Sequence, residues 1–200
     1  MASILENLRN AVIAGFVLAA IIYWALVGVP WDATYLAFFI RWLHVLSGVM
    51  WIGLLWYFNF VQIPSMPKIP DEQKPAVSKV IAPAALFWFR WAAAATVVTG
   101  LILAWLNGFL VQTLSFGLTA DSIRGHTALG IGMWLGLIMA FNVWFIIWPN
   151  QQKALGMVEA SADDKKKAAR LAMLTSRLNT VLSVPMLYAM VSAQNIYGLP

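Results

Sequence analysis

His44 and His126 are the only histidines in the chain, in FFIRWLHVLSGVMWIG and SIRGHTALGIGMWLG. Each lies in or at the mouth of a long apolar segment, where a side chain that titrates near neutrality is costly and marks a functional site. Arg41 precedes His44 by three residues and Arg124 precedes His126 by two. Two imidazoles can hold a haem iron from opposite faces, and two guanidiniums can neutralise its propionates. His44, His126, Arg41 and Arg124 are therefore the candidate residues of a b-type haem site, with the two histidines on the iron. The competing reading is structural: His44 hydrogen-bonds a neighbouring helix and His126 caps its own. A second layer gathers Asn59, Arg90, Asn142, Arg177 and Asn179. Of these, Arg90, Arg177, Asn59 and Asn142 are candidates to grip a planar anionic substrate through paired hydrogen bonds. The plainer alternative is that both arginines snorkel to phospholipid head groups.

The elements that must position these residues are membrane spans. With 62% hydrophobic and 10% charged residues, the chain cannot present a soluble surface, and the expected fold is an all-α, polytopic membrane bundle in a single domain, 1–200. Five segments reach the roughly 20 residues that a crossing needs: about 11–29, 35–63, 82–106, 125–148 and 171–195. The absence of cysteine excludes disulfides, covalent c-type haem attachment, iron–sulfur clusters and thiolate catalysis. The net charge of +5 is spread over loops, which argues against a nucleic-acid partner. Aromatic residues, including eleven tryptophans, exceed what interfacial belts use, so some should line the interior or a planar ligand.

Loop charge sets the expected orientation. With the N-terminus inside, Arg9, Lys68, Lys74, Lys79, Lys153, Lys165, Lys166, Lys167 and Arg170 face the cytoplasm against Arg124 alone outside. This places the N-terminus in the cytoplasm and the C-terminus in the periplasm of a bacterial inner membrane. The proline-rich IPSMPKIPDEQKP should form a short extended connection, Pro149 should close the fourth span, and Ser161 with Asp163 and Asp164 should cap the last helix. The apolar 107–124 connection is expected either to lie in the outer interface as a lid or short amphipathic helix or to extend the third span.

Within the second span Arg41, His44, Gly48, Trp51, Leu55, Asn59 and Gln62 recur at steps of three and four and share one face. His126, Gly130 and Met133 do the same in the fourth, and Gly132 with Gly136 permits close helix approach. Depth separates the histidines, since His44 lies roughly 14 Å into its span and His126 at the edge of its own. Ligation by both requires the fourth helix to begin beneath the 107–124 connection.

RWLHVLSGVMWIGLLWYFNFVQ and RGHTALGIGMWLGLIMAFNVWFIIWPNQQKA resemble the membrane domain of bacterial membrane-bound urate oxidase (urate hydroxylase), with the WPNQ block at 148–151 the most specific piece. In that family a helical membrane domain is followed by a cytochrome c domain. The resemblance implies oxidation of urate to 5-hydroxyisourate, with electrons passed to a c-type haem. The sequence ends at residue 200 without a CxxCH motif, so the acceptor is expected to be a separate c-type cytochrome or an electron-transfer complex. The LHxLSGxxWIG stretch is also similar to other small haem-binding membrane proteins, including the protoporphyrinogen-oxidising family. The leading expectation is a haem-b membrane redox protein, possible urate oxidation included. The alternative is a non-catalytic membrane subunit that scaffolds a respiratory or photosynthetic assembly. A transporter is disfavoured, because no inverted repeat or pair of broken helices is visible.

Overall fold

The structure, a computed structural model, describes residues 5–26 and 32–199, and every regular element among them is helical. Contacts divide the chain into two units, Met1–Leu36 and Ala37–Pro200. In the first unit α1, Leu8–Leu26, has no buried residue, and many of its large apolar side chains are exposed. The end of the first expected span, 27–29, lies outside the described residues.

Four long helices follow: α2 (Ala33–Lys68), α3 (Lys74–Leu106), α5 (Arg124–Ala154) and, after Ser161, α6 (Ala162–Asn195); a five-residue α4 (Leu110–Leu114) lies between α3 and α5. Helices α1, α2, α3 and α5 are long and apolar enough to cross a membrane. The fifth expected crossing falls within α6, which opens on ADDKKKAAR and carries Thr175, Ser176, Arg177 and Asn179 further on, so it lacks the hydropathy of the others. Ser161 caps α6 as expected, its hydroxyl accepting from the Asp164 N–H at 3.1 Å, with Asp163 and Asp164 against the positive end of the helix dipole.

Three spans run further than expected, for one reason. Pro64 and Pro149 do not end their helices. Each of Pro64, Pro83 and Pro149 sits at the start of an α-helical turn directly after a π-helical segment, 57–62, 77–81 and 142–147 respectively. A proline has no N–H to give to the ladder and its ring clashes with the carbonyl four residues back; one wider turn relieves both and lets the helix continue. The connection between α2 and α3 shrinks to 69–73, where Lys74 pairs with exposed Asp71 at 2.6 Å. The Lys74 ammonium holds the Asp71 carboxyl below the usual carboxylate range.

Buried amides bond carbonyls close to two of the wider turns. Asn59 donates to the Leu55 carbonyl at 2.9 Å, and Asn179, fully buried, donates to the Met139 carbonyl at 3.0 Å while accepting from Asn142 at 2.8 Å. Around this polar seam packs the core of the second unit, with Trp51, Leu55 and Phe58 of α2, Leu86 and Phe89 of α3, Met139 and Val143 of α5, and Met186 of α6. The predicted face of α2 is thus the buried one through Trp51 and Leu55.

The 107–124 connection forms α4 and two tight turns, with Gly108, Phe116 and Gly117 in left-handed backbone. The Gln112 amide donates to Asp121 at 2.9 Å and, with Thr119, holds that carboxyl below its ordinary range. Thr113 is fully buried, and a Cβ on Gly130 would run into the Thr113 carbonyl. Gly130→Ala is therefore expected to push α4 off α5 and to cost about 1–3 kcal/mol. Thermal unfolding in detergent would check this, and an unchanged midpoint would refute it.

Candidate functional site

His44 lines a cavity of about 530 Å3 between α2, α3, α5 and α6. That volume lies in the range of small-molecule and cofactor sites. The walls are almost wholly apolar: Trp51, Ile52 and Trp56 from α2, Met133 from α5, and Met186 and Met190 from α6. Gly48, Gly100 and Gly136 also line it, on three different helices. Trp56 is tied in place by donating its Nε1–H to Ser183 at 3.1 Å.

The imidazole of His44 is held by α3. Its Nδ1 lies 2.9 Å from the Thr96 carbonyl and 3.2 Å from the Thr99 hydroxyl. A carbonyl can only accept, so Nδ1 carries the proton and the Nε2 lone pair remains; Nε2 accepts no hydrogen bond from any described residue. Gly100, one turn after Thr96, makes this possible. A Cβ there would stand 2.8 Å from His44 Cε1, so only glycine admits the ring. A metal-binding histidine characteristically donates its other N–H to a carbonyl in this way, which fixes its tautomer and orientation.

His126 is built for a different task. It is buried at the third position of α5, its ring 5.9 Å from that of Phe109 in the 107–124 connection. Its Nδ1, however, accepts the Ile123 backbone N–H at 3.1 Å. The proton of the neutral ring is then on Nε2, and neither nitrogen keeps a free lone pair. His126 does not line the cavity. The structure therefore does not bring the two histidines together, because the first turn of α5 needs His126 as a cap. Arg41 is half-buried one turn before His44, and Arg124 is exposed at the start of α5.

The four candidate anion-binding residues are also apart. Asn142 is spent on Asn179, Asn59 on the Leu55 carbonyl and the Ser176 hydroxyl, and Arg177 is exposed. The Arg90 guanidinium lies 3.3 Å from the Trp148 ring centroid and 5.8 Å from that of Trp144, a cation–π stack that leaves its Nε buried without a hydrogen bond. These residues share a level of the bundle and no common cavity.

Sequence reading missed Thr96 and Gly100. The Thr96 acceptor is backbone and has no letter in the sequence. The spacing of a threonine and a glycine four apart on α3 was the available sign that one face of that helix is open to a partner ring.

Residues 105–199, just under half of the 200, match the family described as Urate oxidase N-terminal. The match covers α4, α5, the whole of α6 and the last two residues of α3. No curated protein and no solved structure matches the chain.

Proposed function

We propose that the chain is a haem-b-binding membrane redox protein related to the N-terminal domain of urate oxidases, passing electrons to a separate c-type cytochrome. The observation that carries this is the His44 tautomer: Nδ1–H fixed on the Thr96 carbonyl, Nε2 unprotonated, on a ring lining a glycine-flanked cavity. His44 would hold the iron through Nε2. Met133, in the cavity wall on α5, would offer a thioether as a second ligand to the iron, and Arg41, one turn before His44, a guanidinium for the propionates. A bound haem would supply one-electron chemistry. The residues of the chain fix the imidazole, exclude water with Trp51, Ile52 and Met186, and leave no charge in the cavity to compete. In this reading the chain sits in a bacterial inner membrane with its N-terminus in the cytoplasm, supported by the nine lysines and arginines near the helix ends that this orientation puts on that side.

His44 is the only titratable residue lining the cavity. No second group stands there to take a proton from a substrate, which favours the reading in which the chain holds the haem for a larger electron-transfer assembly. A reduced-minus-oxidised spectrum of the purified protein is expected to show b-type bands. Urate added to membranes separates the two readings: urate-dependent reduction supports the oxidase, and a haem that ignores urate leaves the subunit. A protein purified without b-type bands after growth with haem precursor would overturn both.

A further inference from the structure

A second cavity of about 350 Å3 lies between α2, α3, α5 and α6, past the core cluster from His44. All three π-helical segments contribute to its wall: Phe58 and Gln62 from the first, Val77 and Ser78 from the second, Ile147 from the third. A π turn has poorer hydrogen-bond geometry than the α-helix it interrupts and is found chiefly where it re-aims side chains at a site. Three such turns, each set by its own proline, meet at this one cavity.

The lining defines the ligand. Among the described residues no charged side chain faces the cavity; its polar members are Gln62, Ser78, Gln151 and Ser176. A neutral ligand is thereby selected, because an ion would find no counter-charge. Gln62 Oε1 is buried with no hydrogen-bond partner, so the ligand must bring an N–H or O–H donor to it. The Ser78 hydroxyl and the Gln151 amide can donate in return. Phe58, Leu86 and Phe89 supply flat apolar walls, and Ile63, Met66 and Leu155 carry the apolar lining on toward the ends of their helices. We propose that this cavity binds the ring of a hydroquinone-type lipid, its hydroxyls on Gln62, Ser78 and Gln151 and its hydrocarbon tail leaving past Met66 and Leu155. A soluble neutral heterocycle shares the ring chemistry, but the apolar exit suits a tail. The inference goes beyond the haem reading and does not depend on it.

The test uses the full chain in detergent, an azido-substituted short-tail ubiquinol as photoaffinity probe, and decylubiquinol as competitor. Labelling is expected to saturate, to map to peptides covering 58–66, 77–89 or 147–155, and to be displaced by decylubiquinol. Gln62→Leu and Gln151→Leu, on different helices, should each raise the apparent Kd for decylubiquinol about five- to tenfold. Leu86→Trp, which fills the cavity without touching a polar group, should abolish displacement, and the exposed Val184→Leu should leave it unchanged. Non-saturable labelling, labelling confined to the His44 cavity, or unchanged affinity in both glutamine variants overturns the proposal. Displacement by xanthine and not by decylubiquinol overturns the lipid and assigns the cavity to a soluble heterocycle.

Discussion

Replacing His44 by alanine is expected to abolish the b-type absorption bands of the purified protein. The ring is the cavity's only imidazole, and its Nε2 is the only nitrogen lone pair the lining offers to an iron. Two companion variants separate ligation from folding. Gly100→Ala leaves the imidazole in the sequence but places a Cβ 2.8 Å from Cε1, so the ring must turn away from the Thr96 carbonyl. Its expected result is a shifted or weakened spectrum with the fold retained, since loss of the Nδ1–H partner lowers the basicity of the ligand. His126→Ala should keep the bands, because that ring caps α5 and stands outside the cavity; about 0.5–2 kcal/mol of stability would be lost with the cap. Full-intensity bands in His44→Ala would remove the site. Loss of the bands in His126→Ala, with α5 intact, would show that α5 rearranges to bring the second histidine to the iron.

How far the sequence speaks differs between spans and site. That long apolar helices build the chain follows from composition, because no other spanning structure satisfies the backbone in lipid. Their ends were less legible. Pro64 and Pro149 are stop signals by local rules, and only the packed bundle makes a π turn through each of them cheaper than ending the helix. His44 stands out by type and depth, whereas its partner is a carbonyl that any residue at 96 would carry. For His126 the two sequence readings were a ligand and a cap, and the free Ile123 N–H decides for the cap. Arginines and asparagines at one depth suggested an anion site. Depth alone does not say where a side chain points: Trp148 takes Arg90, and the π turns take Asn59 and Asn179.

That last assignment carries the second large effect. Asn179 is 0% exposed and joins α5 to α6 twice, by donating to the Met139 carbonyl and by accepting from Asn142. Asn179→Ala removes both bonds at once, leaving the buried Asn142 amide N–H without its acceptor and the Met139 carbonyl with the Asn142 backbone N–H alone. A buried polar group left unpaired costs about 1–3 kcal/mol, so the expected loss is about 1–3 kcal/mol, toward the lower end if the Asn142 amide finds a substitute within the bundle. Asn179→Asp keeps the acceptor for Asn142 but cannot donate to Met139 and buries a charge, so it should be no better than alanine. Arg177→Gln, two residues earlier and exposed, should leave the unfolding midpoint in place. The comparison discriminates between the two roles considered for this layer. If Arg177→Gln destabilised the chain and Asn179→Ala did not, the layer would be held by its cations, and the asparagines would be free for a ligand after all. The expected order, a clear loss for Asn179 and none for Arg177, identifies the asparagine pair as what joins α5 to α6 at this level.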